Sequence, residues 1–426
     1  MPPDTLWHDS SAEPAPGTSL QTDARVDLAV IGGGFTGCSA ALEAAGQGAS
    51  VALFEAGEIG DGGSGRNVGL VNAGLWLPPD AIAQAIGAEE AGRLVDLLAG
   101  APDRVFDLID RHGIDCAARR AGTLHCAHAP GALNGLRERL AQGNRLGAPL
   151  RLLDSDETAR RTGATGLAGA LFDPRAGTIQ PLAYARGLAR AAAAAGAEIH
   201  VRSPVNRVTR QGQDWRLEVG GHTVTARAVL LATNAYHREL SGPVRPRFVT
   251  VGYSQFATDP LPGDLRDRIL PGGEGCWDTA RVMSSFRVDG AGRLILGGIG
   301  DLSLPGGRIH RAWARRKLAA LFPEAAHMPF AHAWSGRIAM TGDHVPKIVA
   351  FGPEALAVFG YSGRGIGPGT TFGTLAARAL LARDPAHLPL TPVPSHDEPF
   401  ARGRAAAFEL GAGAVHATAM LRRGRG

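Results

Sequence analysis

The stretch that decides the fold is Val-Asp-Leu-Ala-Val-Ile-Gly-Gly-Gly-Phe-Thr-Gly, which occupies residues 26–37. An apolar run passes directly into glycines, and an alanine-rich segment follows. This order predicts a β-strand, a tight turn and an α-helix, the arrangement of a dinucleotide-binding site. Gly32 allows the turn, Gly34 lets the backbone approach a pyrophosphate, and Gly37 lets the helix pack against the strand. Free N–H groups at the helix N-terminus would then face the phosphates.

An acidic residue follows the second predicted strand. That strand covers residues 50–54 and ends on Glu55, about 20 residues beyond the glycines, where an acid accepts hydrogen bonds from ribose hydroxyls. A glycine-rich turn alone is weak evidence, but the two strands, the helix and the acid together predict a bound dinucleotide. The alternative is a glycine-rich turn without a ligand. NAD and FAD are equally open at this point.

Two further glycine-rich segments favour a longer cofactor. Residues 57–70 form a loop where a nicotinamide dehydrogenase would usually continue to a third strand. A large cofactor needs a second stretch of backbone close to it, and Ser64 and Arg66 could donate to pyrophosphate oxygens. The alternative is a flexible surface loop with a solvated arginine. A third glycine-rich turn, at residues 360–369, precedes a predicted helix whose N-terminus again presents N–H groups.

Composition excludes several other classes of protein. Hydrophobic residues make up 44% of the chain and charged residues 20%, which is typical of a globular protein. The net charge of +4 comes without a basic patch interleaved with aromatics, which argues against a nucleic-acid partner. No apolar stretch approaches the roughly 18 residues of a membrane span. The four cysteines lack CxxC spacing and the histidines are scattered, so no metal site is predicted. Few cysteines and no signal-peptide pattern predict a cytoplasmic protein.

The length of 426 residues predicts two domains. The predicted fold class is α/β, with a Rossmann-like nucleotide-binding domain that is interrupted in sequence and a second domain with a largely antiparallel sheet for the substrate. The predicted division is an N-terminal arm at 1–24, a nucleotide-binding domain at 25–80, 151–242 and 334–395, a helical insertion and substrate domain at 81–150 and 243–333, and a C-terminal tail at 396–426. Within the arm, Trp7 is either a docking anchor or a partly buried aromatic.

Further motifs accompany the first glycine turn along nearly the whole chain. They are Ser-Gly-Arg-Asn at 64–67, Leu-Phe-Asp-Pro at 171–174, Leu-Ala-Thr-Asn-Ala-Tyr at 231–236, Asp-Thr at 278–279 with Phe-Arg at 286–287, Arg-Leu-Ile-Leu-Gly-Gly at 293–298, and Gly-Tyr-Ser-Gly-Arg-Gly at 360–365. With these motifs the chain resembles the FAD-dependent D-amino-acid-oxidase superfamily. More narrowly, it resembles the gamma-glutamylputrescine oxidase branch.

The resemblance implies that the nucleotide-binding domain binds FAD. Relatives with covalently attached flavin use a cysteine late in the chain, and no cysteine follows Cys276, so we predict non-covalent FAD. Reduced flavin carries negative charge near N1, which the third helix N-terminus and Arg364 would stabilise. The implied contacts are Gly32, Gly34, Phe35, Thr36 and Gly37 at the pyrophosphate, Glu55 at the adenosine ribose, Ser64, Arg66, Asn67, Val68 and Gly69 beside the pyrophosphate and isoalloxazine, Val205 at the adenine, and Gly363, Arg364, Gly365, Ile366 and Thr370 at the flavin pyrimidine ring.

The resemblance also implies the chemistry. A hydride leaves a carbon that bears an amine, FAD accepts it, water hydrolyses the resulting imine, and O₂ reoxidises the flavin with release of H₂O₂. The partners are therefore a small amine or amino acid and O₂. Within the same resemblance, a dehydrogenase that acts on N-methyl or D-amino acids with a non-oxygen acceptor is an alternative, and a flavin-binding protein without turnover is another.

The substrate pocket should lie between the flavin and the second sheet. Arg287 is the first candidate to hold a substrate carboxylate, because a guanidinium matches a carboxylate through two parallel hydrogen bonds. The alternative for Arg287 is a structural ion pair of that sheet. Tyr253 and Trp334 are candidate pocket walls, or plain core residues. The branch usually presents a tyrosine where Ser285 stands here, so the substrate of the branch does not transfer directly, and the oligomeric state is also open.

Overall fold

The computed structural model describes residues 5–238 and 240–418 as a mixed α/β chain. The strands are β1 Ala24–Ile31, β2 Val51–Phe54, β3 Leu70–Val71, β4 Thr123–Ala127, β5 Arg151–Leu153, β6 Gly169–Asp173, β7 Gly177–Thr178, β8 Glu198–His200, β9 Val205–Gln211, β10 Asp214–Val219, β11 His222–Leu231, β12 Val249–Pro260, β13 Gly275–Asp278, β14 Ser284–Val288, β15 Arg293–Ile299, β16 Phe330–Met340, β17 Lys347–Gly352 and β18 Ala355–Phe359.

The helices include the one predicted directly after the first glycine turn. They are α1 Leu6–Ser10, α2 Phe35–Gly46, α3 Pro79–Ile86, α4 Ala88–Ala99, α5 Ala101–His112, α6 Leu133–Arg145, α7 Ser155–Thr162, α8 Pro181–Ala194, α9 Gly263–Arg266, α10 Gly307–Leu321, α11 Ile366–Ala382 and α12 Ala401–Thr418. None of these helices combines the length and the apolar character that crossing a lipid bilayer requires.

The first sheet has the strand order β17-β18-β11-β1-β2-β8, with β1 at its centre and parallel to both β2 and β11. Alternate residues of β1 face opposite sides of this sheet. Leu28 and Val30 pack into a core formed with α2, α8 and α11, while Ala29 and Ile31 pack against the β9–β10 hairpin. The apolar run before the glycines is thus buried on both faces, as a central parallel strand requires.

The second sheet has the strand order β16-β12-β15-β14-β13-β4-β6-β5 and is antiparallel except where β13 pairs with β4. Three of its strands correct the predicted division. β5 and β6 lie within 151–242, and most of β16 lies within 334–395, both of which were assigned to the nucleotide-binding domain. β6 pairs with β4, about 45 residues earlier in the chain, and local sequence patterns do not report such long-range pairing.

The helices α3 to α5 also lie elsewhere than predicted. They belong to the segment 81–150 that was assigned with the substrate domain. Their apolar faces, which include Ile82, Leu94 and Val105, instead pack into the core that contains α2 and α8. The amphipathic pattern of these helices predicts that one face is buried, but it does not identify the surface that covers that face.

The N-terminal arm is firmly anchored. Trp7 is completely buried, its indole Nε1 donates to the carbonyl oxygen of Asn67 at 2.8 Å, and its ring meets that of Trp334 edge-on at 5.8 Å. Glu13 adds an ion pair with Arg190 at 2.8 Å. Trp7 is therefore a docking anchor that holds the second glycine-rich loop against β16.

The predicted C-terminal tail contains a helix, α12, that docks on α10 and β12. His416 is fully buried, stacks on Trp313 at 4.1 Å, and shares a 2.8 Å hydrogen bond between its Nδ1 and the Nδ1 of His310. Glu409 bonds the other nitrogen of His310 at 2.8 Å. Residues 419–426 of the predicted C-terminal tail lie outside the described residues.

We expect the docking of α12 to weaken in acid. Burial, and then the charges near it, lower the pKa of His416 from 6.5 to about 3. Below pH 6.5 the unfolded chain therefore takes up a proton that the folded chain does not, and the free energy of unfolding falls by up to about 1.4 kcal/mol per pH unit down to the folded pKa. Replacing His416 with Phe keeps the stacking and removes the titration.

Urea unfolding of wild type and His416→Phe at pH 7 and pH 5 measures this effect. The variant should start less stable at pH 7, since His310 loses a partner, but should lose about 1–2 kcal/mol less between the two pH values. His387→Phe, which removes an exposed histidine, should behave like wild type. An equal pH-dependent loss in wild type and His416→Phe would contradict the assignment.

Candidate active site

A cavity of about 1540 Å³ lies between the two sheets. All three glycine-rich segments contribute to its wall, together with the inner face of the second sheet and Phe408 of α12. The predicted site residues on its wall are Gly32, Gly34, Phe35, Thr36, Glu55, Ser64, Arg66, Asn67, Val68, Val205, Tyr253, Trp334, Gly363, Arg364, Gly365 and Ile366. The predicted site residues Gly37, Gly69, Thr370 and Arg287 are not on the wall.

The first glycine turn has the geometry that the sequence predicts. Gly32 has a φ of +110°, and its N–H donates to the carbonyl oxygen of Phe54 on β2 at 2.8 Å. A Cβ on Gly37 would lie 1.9 Å from the carbonyl oxygen of Gly32, so only glycine lets α2 approach the turn this closely. Gly37 thus does not line the cavity itself, but it allows the N-terminus of α2 to reach the cavity wall.

The second loop is bonded directly to the N-terminus of α2. Ser64 Oγ accepts a hydrogen bond from the Phe35 N–H at 3.0 Å, and a Cβ on Gly34 would lie 2.8 Å from the same oxygen. The Ser64 hydroxyl, which keeps its O–H as a donor, and the anion-favouring terminus of α2 therefore meet at one point of the cavity wall.

Glu55 is held in place by the backbone around it. Its two carboxylate oxygens accept hydrogen bonds from the N–H groups of Gly33 at 2.7 Å and Gly57 at 2.8 Å. Burial raises its pKa, and these N–H bonds oppose that rise. A carboxylate has about four acceptor positions, so lone pairs are left for ribose hydroxyls.

The second loop is rigid, which contradicts the alternative of a flexible surface loop. Asn67 Nδ2 donates to the carbonyl oxygens of Gly63 and Ser64 at 2.9 Å, and its Oδ1 accepts from the Gly69 N–H at 2.9 Å. Arg66 donates from Nε to the Asp61 carbonyl and from a terminal nitrogen to the Ser335 carbonyl, each at 2.9 Å. Arg66 therefore ties this loop to β16 instead of lying free in solvent.

The third glycine turn brings the start of α11 to the cavity. Gly363 to Ile366 line the wall, but Thr370 is completely buried one turn further along α11 and shares a 3.1 Å hydrogen bond with the Tyr184 hydroxyl. Arg364 reaches away from the turn. It donates to the Ala73 carbonyl at 2.8 Å and lies 4.8 Å from the centre of the Trp277 ring.

Arg287 does not face the cavity. It is nearly fully buried, and one terminal nitrogen donates to the carbonyl oxygens of Ile179 at 2.6 Å and Gly69 at 3.3 Å. It shares a face of β14 with Ser285, which does line the cavity, but Trp7 covers the strand at Arg287, with its ring centre 5.8 Å from the guanidinium. Among the residues that the structure describes, no carboxylate oxygen lies within 4.0 Å of Arg287, and its guanidinium braces backbone carbonyls.

Tyr253 and Trp334 lie where pocket walls were predicted. The Tyr253 hydroxyl donates to Ser285 Oγ at 3.0 Å, and burial raises the Tyr253 pKa, so the phenol is neutral at physiological pH. Trp334 Nε1 donates to the Arg66 carbonyl at 3.0 Å. The phenol beside Ser285 at this point of the cavity therefore comes from β12.

Sequence reasoning missed a group of side chains at one end of the cavity. The rings of His125 and Trp277 stack with their centres 3.4 Å apart, and Arg139 lines the cavity beside them. Burial, followed by the charges of Arg139 and Arg364, lowers the His125 pKa well below 6.5, so its imidazole is uncharged near neutral pH. The pairing of β4 with β13 creates this group, and no local pattern signals that pairing.

The fold and site together define a flavoprotein-type oxidoreductase with a dinucleotide cradle that opens onto a second-sheet pocket. Residues 27–379 match the sequence model of the DAO family, FAD dependent oxidoreductase, and the chain belongs to this family. Its residues fit FAD, because the crowded Gly32–Gly37 turn, the anchored Glu55 and the Ser64 junction form one continuous cradle. None of the four cysteines lines the cavity, and non-covalent attachment of FAD stays a prediction.

Relatives and solved structures extend this likeness along the chain. The Rhizobium meliloti protein named "Probable oxidoreductase OrdL" is 31% identical over 89% of both chains. The gamma-glutamylputrescine oxidoreductase of Escherichia coli is 29% identical over 86% of both. The crystal structure of glycine oxidase from Geobacillus kaustophilus, at 22% identity, covers 85% of this chain and 95% of its own with a TM-score of 0.70, and confirms the fold.

Gly37→Ala should abolish FAD retention. The new Cβ would lie 1.9 Å from the Gly32 carbonyl oxygen, so α2 must move away from the turn at which we expect the pyrophosphate to bind. Gly46→Ala at the other end of α2 is the matched control, because its Cβ meets open space. The control should keep its FAD and gain up to about 1 kcal/mol of stability. Wild-type flavin content in purified Gly37→Ala would show that the close approach is not required.

Arg287→Gln should lower stability and leave substrate affinity unchanged. The variant gives up hydrogen bonds from a charged donor to buried carbonyls, which costs about 2–3 kcal/mol of unfolding free energy. The KM of the folded fraction for a carboxylate-bearing amine should stay within twofold of wild type. A tenfold rise in KM at unchanged stability would instead restore Arg287 as the carboxylate-binding residue.

Proposed function

We propose that the protein oxidises the C–N bond of an amine or amino-acid-like substrate to an imine, which water then hydrolyses. The observation that carries this proposal is the continuity of the cavity from the Gly32–Gly37 turn to the face of the second sheet. A cofactor that starts at the turn thereby has its reacting end beside a separate substrate wall. FAD, when bound, supplies the acceptor for the hydride, and we propose that O₂ takes the electrons and leaves as H₂O₂.

The described side chains on the cavity wall favour orientation over acid–base chemistry. The four carboxylates there are already engaged. Glu55 accepts from backbone N–H groups, Asp61 from the Glu58 N–H at 2.9 Å, Asp301 from the Ser303 N–H at 2.9 Å, and Asp278 pairs with Lys317 at 2.7 Å and accepts from Ser284. Tyr253 and Trp334 present rigid, uncharged surfaces against which an aliphatic amine can lie. Because FAD carries the demanding step, these residues need only hold the carbon–nitrogen bond against it and keep water away.

A gamma-glutamylputrescine-like compound is our best candidate for the substrate. The similarity to the Escherichia coli gamma-glutamylputrescine oxidoreductase supports it, since that match extends over 86% of both chains. The hydroxyl pair of Tyr253 and Ser285 supports it as well, because a phenol is again present near the place where the branch usually has one.

The four unpaired cysteines agree with a reducing compartment, and we propose the cytoplasm as the location.

Anaerobic bleaching of the flavin tests the reaction. Purified protein is mixed without oxygen with gamma-glutamylated polyamines, N-methyl amino acids, D-amino acids and simple secondary amines, and loss of the yellow colour is followed. We expect the gamma-glutamylated polyamine to bleach it fastest, and stoichiometric peroxide when air is admitted. Bleaching without peroxide would indicate a dehydrogenase with another acceptor, and no bleaching by any compound would contradict an enzymatic role.

A further inference from the structure

The C-terminal helix α12 forms part of the cavity wall, although it lies outside the family match. That match ends at residue 379, whereas α12 begins at Ala401. Phe408 of this helix lines the cavity, and so do Asp301, Leu302 and Ser303, which follow β15. The chain therefore completes its cavity with a segment that the family model does not describe.

Both ends of α12 are fixed to other parts of the chain. Arg404 in its first turn pairs at 2.7 Å with Glu398, and the other oxygen of this buried carboxylate accepts from the Gly342 N–H at 2.5 Å, just beyond β16. Near the other end, the His416 carbonyl accepts from Arg316 of α10 at 2.7 Å. The helix is thus held between the end of β16 and α10.

The middle of α12 is connected to the second glycine-rich loop by a series of hydrogen bonds. Glu409 accepts from the Asp301 N–H at 3.2 Å, and the next residue, Leu302, donates from its N–H to Ser335 Oγ at 2.8 Å. The carbonyl oxygen of Ser335 is the one that accepts from Arg66. The helix therefore supports the residue of β16 that holds the second loop in place.

Phe408 borders the same part of the cavity and is not fully covered. Its side chain is 37% exposed, so a molecule that lay against the ring would bury further apolar surface. The wall continues from this region to the second loop through Tyr236, whose hydroxyl accepts from the Arg337 N–H at 3.0 Å and whose ring would lie 3.2 Å from a Cβ on Gly62. We expect FAD to lie beside that loop, so α12 borders the part of the cavity that the cofactor would occupy.

We propose that α12 is a strap that closes the cavity over bound FAD and slows the release of the cofactor. Its anchors are side-chain contacts and bonds to turns, so the helix can detach without breaking either sheet. If docking of α12 stabilises bound FAD, bound FAD must stabilise docked α12 by the same amount. This inference goes beyond the proposed function, since it depends on neither a substrate nor turnover.

Hydrogen exchange of wild type, with FAD bound and after its removal, tests this reciprocity without any variant. We expect the backbone amides of α12 to exchange at least tenfold more slowly when FAD is bound. The amides of α7, none of whose residues lines the cavity, should change far less. Equal exchange of α12 in the two forms, or equal slowing of α12 and α7, would overturn the proposal.

The rate of FAD release tests the strap directly. FAD-loaded protein is diluted, and the rise in flavin fluorescence reports the cofactor that leaves. We expect Phe408→Ala to release FAD about 5- to 10-fold faster than wild type, because the covering ring is lost. Leu410→Ala is the matched control on the same helix; its side chain is 74% exposed and is not on the cavity wall, so release should match wild type.

A second variant separates a strap from a simple contact. Glu409→Ala removes the acceptor of the Asp301 N–H and leaves Phe408 in place. A loosened strap admits FAD as readily as it lets FAD out, so both release from the loaded protein and uptake by the full-length apoprotein should be faster. Faster release with slower uptake would indicate a loosened fold and would overturn the strap.

Unchanged FAD release from Phe408→Ala would also overturn the proposal, and truncating this partly exposed ring should leave folding intact. If that variant instead raised the KM for an amine, α12 would be assigned to substrate entry. Failure of amines to bleach the flavin would count against the proposed function alone, since the exchange, release and uptake measurements need no substrate.

Discussion

The approach of α2 to the first glycine turn is the contact on which the rest of the site depends. At Gly37 the helix comes so close to the Gly32 carbonyl oxygen that no side chain fits between them. This approach carries the Phe35 N–H to Ser64 and leaves the Gly33 N–H facing Glu55. One steric requirement in the backbone thereby positions Ser64 and the α2 N-terminus, which we expect to contact the pyrophosphate, and Glu55, which we expect to contact the ribose.

The sequence predicted those parts of the molecule whose causes are local. The strand, turn and helix around Gly32, the acid at Glu55 and the glycine turn at 360–369 are each encoded within a few neighbouring residues. The resemblance to the D-amino-acid-oxidase superfamily, which the family match confirms, depended on these same segments. Tyr253 on β12 and Trp334 on β16 lie on the cavity wall, while their role toward a substrate stays a prediction.

Pairing between strands that are far apart in the chain explains the parts of the site that local sequence patterns did not predict. His125 and Trp277 come together because β4 lies beside β13, about 150 residues later, and Arg139 joins them from a helix whose partner surface is not encoded in its own pattern. Arg287 shows the opposite case. It lies on the same face of β14 as Ser285, which lines the cavity, but the arm that carries Trp7 covers Arg287. Tertiary packing therefore sets the positions of the positively charged side chains around the pocket, and local sequence does not predict them.

The central claim is that three glycine-rich segments form one cradle for a single non-covalent FAD. Denaturing the purified protein, separating the chain from the supernatant, and identifying and counting any released cofactor tests this claim most directly. We predict one equivalent of intact FAD in the supernatant per chain and no flavin on the precipitated protein. Flavin that stays with the chain, a nicotinamide nucleotide in its place, or no cofactor at all would contradict the account.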